Sequence, residues 1–420
     1  MNRGNTTELK AAIRQQVVSS IDYSKEVSDD EIYELIDSEL ITRSKRLMIS
    51  MDEKKKLRKE VFFSIRKLDI LQQLLDDEKV TEIMINGPKN IFIERNGAIS
   101  KYEAGFESDE KLQDVVQQIV ASCNRVVNES SPIVDARLEN GARVNIVLPP
   151  VSLGGPVITI RRFPDKPITM ERLIELGAIS EYLRDYLQVL MRAGYNIFIS
   201  GGTGSGKTTF LNALSDFIPK DLRVITIEDN AELQIKGVPN LVRMEARNAN
   251  VEGCQEITIR DLIKSSLRMR PDWIIVGEVR GGETVDMLQA CNTGHRTMST
   301  GHSNNAYDML YRLETMSLMG MGELPLQAVR GQICAGIDII VHLGRFRDKT
   351  RKLVEICELS KNLDSSGHIS LNTLFKFEEE GTALTDKGEE KILGHWRKIG
   401  ELQNSEKLLS SGLSLPARES

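Results

Sequence analysis

No apolar run in this chain approaches the ~20 residues that a bilayer-spanning helix needs. The N-terminus, Met1-Asn2-Arg3-Gly4-Asn5, lacks the apolar core of a secretory signal. These absences predict a cytoplasmic protein whose membrane contact is peripheral, made through partners. An excess of positive charge is also missing, because the formal net charge is −6. Broad binding to nucleic acid needs a basic surface. No basic stripe with interleaved aromatics occurs, so no direct nucleic-acid partner is expected. Lys54-Lys55-Lys56-Leu57-Arg58-Lys59 is locally basic and reads as a solvated helix face. The five cysteines (Cys123, Cys254, Cys291, Cys334 and Cys357) are widely spaced and form no C-x-x-C, which supports neither a disulfide framework nor a cysteine zinc site. Cys123 and Cys334 fall on apolar faces and read as core filling. No internal repeat occurs at a 20–50 residue period.

What is present is ordinary for a soluble globular chain: 420 residues, 40% apolar and 28% charged, enough for two or three domains with full cores. The first ~25 residues are polar and read as a loose arm. Two capping boxes follow, at Ser28-Asp29-Asp30-Glu31 and Ser50-Met51-Asp52-Glu53, each ahead of an apolar helical stripe. Residues 1–75 are therefore expected to form a helical N-terminal extension. Short apolar runs at 82–85, 91–93, 133–138, 143–148 and 157–162 read as strands, several closed by Asn-Gly turns. A clean amphipathic stripe at Leu112, Val115, Val116, Ile119 and Val120 marks a helix among them. Residues 76–163 thus read as an α+β domain, and Phe163-Pro164-Asp165-Lys166-Pro167 as a linker, with a hinge at 164–169. From there helices alternate with apolar strands at 197–200, 224–228, 273–276, 297–300 and 337–343, which predicts a largely parallel α/β sheet over 170–345. Residues 346–420 are expected to form a peripheral C-terminal subdomain and a tail that frays from about Leu408.

The most informative stretch is Gly201-Gly202-Thr203-Gly204-Ser205-Gly206-Lys207-Thr208-Thr209, which matches G-x-x-x-x-G-K-[ST]. A Gly/Ser/Thr-rich turn could carry similar letters. Here a buried strand precedes the motif and a helix follows, the setting that a phosphate-binding loop requires. Its glycines let backbone N–H groups approach the phosphates. Lys207 would reach the β- and γ-phosphates of ATP, and the Thr208 hydroxyl would hold Mg²⁺.

The remaining machinery must come from neighbouring strand ends. Glu228 and Asp229 end one apolar run, with Glu232 one turn on, and Glu278 follows Trp273-Ile274-Ile275-Val276-Gly277. The usual second nucleotide motif ends its strand with Asp, and Gly277 holds that slot here. Glu278 therefore reads as a water-activating base rather than a strict metal ligand, and Glu228 as a candidate for Mg²⁺. His295 and His302 flank the 296–301 segment and, as neutral imidazoles, could bond phosphate or sense its loss. Arginines delivered from another domain or subunit can offset charge on the γ-phosphate. Arg161-Arg162, just before the linker, and Arg143 are candidates, as are Arg268, Arg270 and Arg280 around the Glu278 strand.

The ordered set of the phosphate loop, Thr226-Ile227-Glu228-Asp229, Leu267-Arg268-Met269-Arg270-Pro271-Asp272, Ile275-Val276-Gly277-Glu278-Val279-Arg280 and Thr293-Gly294-His295 resembles the type II/IV secretion ATPase superfamily. Asp135-Ala136-Arg137-Leu138, Arg143-Val144-Asn145, Ile160-Arg161-Arg162-Phe163 and Arg312-Leu313-Glu314-Thr315-Met316 look most like its CpaF branch, which drives tight-adherence (Flp) pilus assembly. The resemblance implies a RecA-like P-loop ATPase core and a homo-hexameric ring, with ATP between N- and C-terminal domains. It also implies polytopic inner-membrane platform proteins as partners. It places Glu228 and Glu232 in the Asp box, Glu278 as the Walker B glutamate, and His295 and His302 in the His box. Arg143 and Arg161 match N-terminal arginines that reach the nucleotide. The Arg296-Thr297-Met298 and Gly301-His302-Ser303 segments depart from the commoner His box. Two other readings are a nucleic-acid-translocating or conjugative-transfer ATPase, and a nucleotide-gated scaffold without turnover.

Overall fold

The computed structural model describes residues 3–22, 27–44, 49–95, 97–123, 125–162, 167–247, 255–320, 324–384 and 390–417. Residues 163–166 of the expected linker, and Cys254, lie outside them. The chain divides into two compact units, Met1–Asp165 and Lys166–Ser420.

The first unit begins with α1 (Arg3–Ser20), α2 (Asp29–Ser44), α3 (Met51–Arg66) and α4 (Ile70–Asp76). Both capping boxes form: Glu31 N donates to Ser28 Oγ while Ser28 N donates to Glu31, and Ser50 and Glu53 exchange the same pair. Residues 3–20 are helical, not the loose arm that their polarity suggested. Leu9, Ile13 and Val17 recur every fourth residue and bury against Ile32, Ile36, Val61 and Phe62. Three apolar positions in a polar background were too sparse a stripe to stand out. The Lys111 ammonium donates to Ser64 O, tying this bundle to the helix of the sheet that follows.

That sheet comprises β1 (Val80–Asn86), β2 (Ile91–Arg95), β3 (Ala98–Tyr102), β4 (Ile133–Arg137), β5 (Arg143–Val147) and β6 (Val157–Arg161), with α5 (Asp109–Ser122) between β3 and β4. Its order is β3-β2-β1-β6-β5-β4, antiparallel throughout. Ile83, Ile85, Val144, Ile146, Ile158 and Ile160 face the core under α5, so alternate residues form an opposite polar face. β3 escaped sequence reading because its side chains are largely exposed and carry no alternation.

The second unit contains α6 (Met170–Glu175), α7 (Glu181–Ala193), β7 (Ile197–Gly201), α8 (Lys207–Ser215), β8 (Val224–Glu228), β9 (Leu241–Glu245), α9 (Ile259–Ser266) and β10 (Trp273–Val276). It continues with α10 (Glu283–Asn292), β11 (Arg296–His302), α11 (Ala306–Gly320), α12 (Leu326–Gly336), β12 (Ile339–Arg345), β13 (Arg351–Leu359), β14 (Leu371–Leu384), β15 (Glu390–Lys398) and α13 (Glu406–Ser411). The strands form one sheet of order β15-β14-β13-β12-β7-β11-β10-β8-β9. Strands β12 through β9 in that order run parallel, and β13–β15 are added antiparallel. β7, β8 and β10 are buried on both faces, as a helix-covered parallel sheet requires. Ile197 and Ile199 pack with α6–α8 on one side, and Phe198 with α9–α12 on the other. This is a mixed α/β fold with a RecA-like core.

Residues 346–420, read as a peripheral subdomain, supply strands that continue this same sheet. Residues 408–417 do not fray. Leu408 is buried, Leu413 and Leu415 pack on the α6–α8 side, and Lys407 bonds Asp338 and Gly194 O. Among the described residues, no helix is long and apolar enough to cross a membrane.

Candidate functional site

Because β7, β11, β10 and β8 are parallel, their carboxyl ends meet at one edge of the sheet. The phosphate loop leaves that edge between β7 and α8. Two of its positions admit only glycine. A Cβ at Gly201 would lie 2.5 Å from both Leu343 O and Ser205 Oγ, and Gly206, the residue ahead of α8, has φ +92°. Ser205 Oγ donates to Gly202 O at 2.9 Å and closes the loop on itself. Gly202, Thr203 and Gly204 are exposed at its apex. Thr208 and Thr209 open α8 half-buried, where N–H groups and the helix dipole favour an anion. Lys207 is buried and donates to Gly201 O (3.0 Å), Gly202 O (3.1 Å) and His302 Nδ1 (3.2 Å).

An ammonium can only donate, so His302 Nδ1 must accept and the imidazole proton lies on Nε2. Burial and the nearby Lys207 charge push the His302 pKa below its ordinary value, which keeps that ring neutral at pH 7. Nε2 lies 3.0 Å from Glu278 Oε1, a close polar approach rather than an aligned hydrogen bond. Arg280 Nη2 donates to the other Glu278 oxygen at 2.8 Å. Lysine, histidine and glutamate from three separate segments thus form one chain across the strand ends.

Glu228 ends β8 and is almost fully buried. Its Oε1 accepts from the Glu232 and Leu233 N–H groups at 2.8 and 2.9 Å, while its buried Oε2 has no hydrogen-bond partner. Desolvation outweighs the two backbone bonds and raises its pKa to about 7. The structure also explains Gly277 in the slot where aspartate was expected: a Cβ there would stand 3.0 Å from Glu228 Cγ, so the Glu228 side chain fills that space. The Glu278 hydrogen bond raises the Arg280 pKa, and the nearby Asp229 and Glu232 charges add to it. No cluster of three metal-ligating side chains occurs among the described residues. A Mg²⁺ held by one hydroxyl, one carboxylate and nucleotide phosphates needs no such cluster. The unpartnered Glu228 oxygen, with Thr208, fits that kind of site.

His295 and His302 are separated. His302 pairs with Gly201 at the carboxyl edge, whereas His295 precedes β11 at the amino edge, about 20 Å away for a seven-residue strand. His295 instead bonds Thr293 Oγ1 at 3.1 Å and lines a cavity with Asn196, Lys361 and Lys407. Within this unit it is not beside the phosphate loop, as its nearness to His302 in sequence suggested. Arg268 and Arg270 precede β10 and so belong to the same amino side.

Arg143 and Arg161 belong to the first unit, where they are direct cross-strand partners on its polar face. The register places Arg137 opposite Arg143, and Glu82 opposite Arg161. Three arginines thus share one row across β4, β5 and β6, with Glu82 of β1 next to Arg161. In the sequence Arg137 stands out only as part of the Asp135-Ala136-Arg137-Leu138 motif. Its place in the row depends on register, which no single segment reveals.

Residues 65–406 match the family described as type II/IV secretion system protein. A putative conjugal transfer protein of Mycobacterium tuberculosis is 33% identical over 297 residues, covering 69% of this chain and 84% of that one. The type IV secretion system protein PtlH of Bordetella pertussis is 31% identical over 302 residues, covering 66% and 89% respectively. The ATPase DotB of Yersinia pseudotuberculosis, a solved structure, shares the fold with a TM-score of 0.50 at 18% identity, over 72% of this chain and 80% of that one. With the family match spanning most of its length and a phosphate loop at the sheet edge, this chain belongs to the type II/IV secretion system protein family.

Proposed function

We propose that this chain is an ATP-hydrolysing motor for a type II/IV secretion or pilus machine, working as a homo-hexamer at the cytoplasmic face of the inner membrane on polytopic platform proteins. The observation that carries this reading is the Lys207–His302–Glu278 chain at the mouth of the phosphate loop. Loop amides and Lys207 would bind the triphosphate. Glu278, just beyond the carboxyl end of β10 and two strands from β7, would take a proton from the attacking water. Neutral His302 would report to Glu278 whether Lys207 is engaged by phosphate. Bound Mg²⁺, held by Thr208 and Glu228, would offset charge on the β- and γ-phosphate oxygens. Arg143 and Arg161 would approach the terminal phosphate from the N-terminal unit, with Glu232 supporting the acidic side and His295 serving a site other than the phosphate loop of its own chain. The 164–169 segment would act as the hinge.

Within the family, Asp135-Ala136-Arg137-Leu138 and Arg312-Leu313-Glu314-Thr315-Met316 favour the CpaF, tight-adherence pilus branch. A conjugative role is the second reading, favoured by the name of the Mycobacterium tuberculosis relative. The net charge of −6 weighs against direct translocation of DNA. The test is ATP turnover by the purified full chain, with and without Mg²⁺ and with single- or double-stranded DNA. Mg²⁺-dependent turnover that is lost in Lys207→Ala and unaffected by DNA supports the motor reading. Absence of turnover under every condition overturns it, and strong stimulation by DNA moves the function to the second reading.

A further inference from the structure

The β12–β13 turn was read from sequence only as the boundary of a peripheral subdomain. It stands against the phosphate loop. β12 is the parallel neighbour of β7, with Leu343 opposite Gly201, so its last residues run on beside the loop. Arg345 ends β12 and Arg351 begins β13. Arg351 Nε donates to Gly204 O at 2.7 Å, and its Cδ lies 3.4 Å from where a Gly206 Cβ would stand. Arg345 Nη1 lies 3.7 Å from the corresponding point on Gly204. The two arginines therefore flank the exposed apex of the loop.

The turn that presents them is braced. One Asp348 oxygen accepts from Thr350 N and Oγ1 at 2.9 and 2.6 Å, and the other accepts from Ile392 N at 2.8 Å. Phe346 and Thr350 close the turn through their backbones, and Phe346 packs edge-on against Phe377. Arg347, between the two loop-facing arginines, is engaged by Glu379. Among the described residues, no carboxylate pairs with Arg345. A guanidinium held near Lys207 and the positive end of α8 raises the local positive potential. Polyphosphate is the ligand chemistry that such an array fits.

We propose that Arg345 and Arg351 form a cationic clamp on the nucleotide from the same lobe as the phosphate loop. Arg351 is a positioning residue that sets the loop apex through the Gly204 carbonyl, and Arg345 contacts the polyphosphate directly. This rests on the ATP-binding reading of the loop and adds a contact independent of the N-terminal arginines. The test uses the full chain and a fluorescent ADP analogue, with thermal unfolding of the nucleotide-free protein as the control for folding. Arg345→Ala is expected to weaken binding about tenfold, the scale of one charged hydrogen bond, and Arg345→Lys to recover part of it. Arg351→Ala is expected to weaken binding by a similar factor while the nucleotide-free melting temperature stays put, and Arg351→Lys to restore part of it. If both alanine variants bind like the wild type while Lys207→Ala does not, the clamp is overturned and the ATP-binding reading stands. If the wild type itself binds no ADP analogue, both fail together. A large drop in nucleotide-free melting temperature with unchanged affinity makes Arg351 a structural brace only and overturns its assigned part.

Discussion

The two edges of the nine-stranded sheet carry two buried carboxylates that are handled in opposite ways. At the amino edge, Asp338 precedes β12 and is enclosed by donors. Its Oδ2 accepts from Asn196 N at 2.7 Å and Lys407 Nζ at 2.6 Å, and Lys361 Nζ lies 2.6 Å from Oδ1. Those contacts join β7, β12, the segment after β13 and α13 at one point. At the carboxyl edge, Glu228 is equally buried, yet one oxygen has no hydrogen-bond partner and no lysine or arginine forms an ion pair with it among the described residues. Two lysine ammoniums make the first edge a clasp, although Asp338 Oδ1 has no aligned hydrogen bond either. The lack of a paired cation makes the second costly to leave ionised in isolation, and one brought in with a nucleotide would fill it. The contrast separates structure from chemistry on one sheet.

The largest effect should come from the carboxyl edge. Glu278→Gln keeps the size of the side chain and its capacity to accept from Arg280, but cannot take a proton from water. ATP turnover should fall roughly 10²–10⁴-fold with nucleotide affinity preserved. Retained turnover would remove Glu278 as the base. At the amino edge, Asp338→Ala should leave turnover chemistry intact and destabilise the second unit by about 3 kcal/mol, near the low end for a buried pair because both lysines remain partly exposed and can turn to water. Urea unfolding checks it. A change below about 1 kcal/mol would make the clasp an ordinary surface ion pair.

The same comparison has a pH signature. The folded-state pKa of Glu228, about 7, lies above the ordinary 4.5, so the folded protein holds this proton more tightly than the unfolded chain does. The resulting stability is fully present below pH 4.5 and is lost as pH rises through 7. Glu228→Gln removes that titration. Without nucleotide or Mg²⁺, wild type and variant should be similarly stable near pH 5, and the variant should gain on the wild type towards pH 8 by at most about 3 kcal/mol. Parallel urea midpoints at both pH values would show that Glu228 is ionised throughout.

The phosphate loop was legible because every requirement it meets is local: a buried strand, glycines where a side chain would collide, and a lysine and threonine at the helix start. Glu228 and Glu278 were legible as strand ends for the same reason. What register decides was not legible. Arg345 and Arg351 flank the loop only because β12 pairs with β7, and Arg137 joins Arg143 and Arg161 only through the β4–β5 pairing. His295 and His302 show the converse, since seven positions of sequence become the full height of a sheet when the intervening residues form a strand. Gly277 looked like a departure from a motif until the Glu228 side chain was found beside it. β14 and β15 carry few fully buried side chains, so apolar density did not mark them as strands of the main sheet.

The smallest predicted effect is also the sharpest probe of the carboxyl edge. His302 joins Lys207 to Glu278 through two different ring nitrogens, and the two links can be cut separately. An asparagine places its carbonyl oxygen near the position of Nδ1, so His302→Asn keeps an acceptor for the Lys207 ammonium and loses the Nε2–H that faces Glu278. His302→Ala loses both. Neutral His302 contributes one modest hydrogen bond to Lys207 and a close polar approach to Glu278, so the asparagine variant should bind ADP as the wild type does and turn over ATP about fivefold more slowly. The alanine variant should in addition bind more weakly. Acid should mimic neither exactly: protonating His302 puts a second positive charge beside Lys207 and ends its role as acceptor, so turnover should decline as pH falls through and below the ordinary histidine range, and that decline should be absent from His302→Asn. If the asparagine variant shows the same acid limb as the wild type, the titrating group lies elsewhere at this edge, and the Lys207–His302–Glu278 chain is a packing arrangement without a part in turnover.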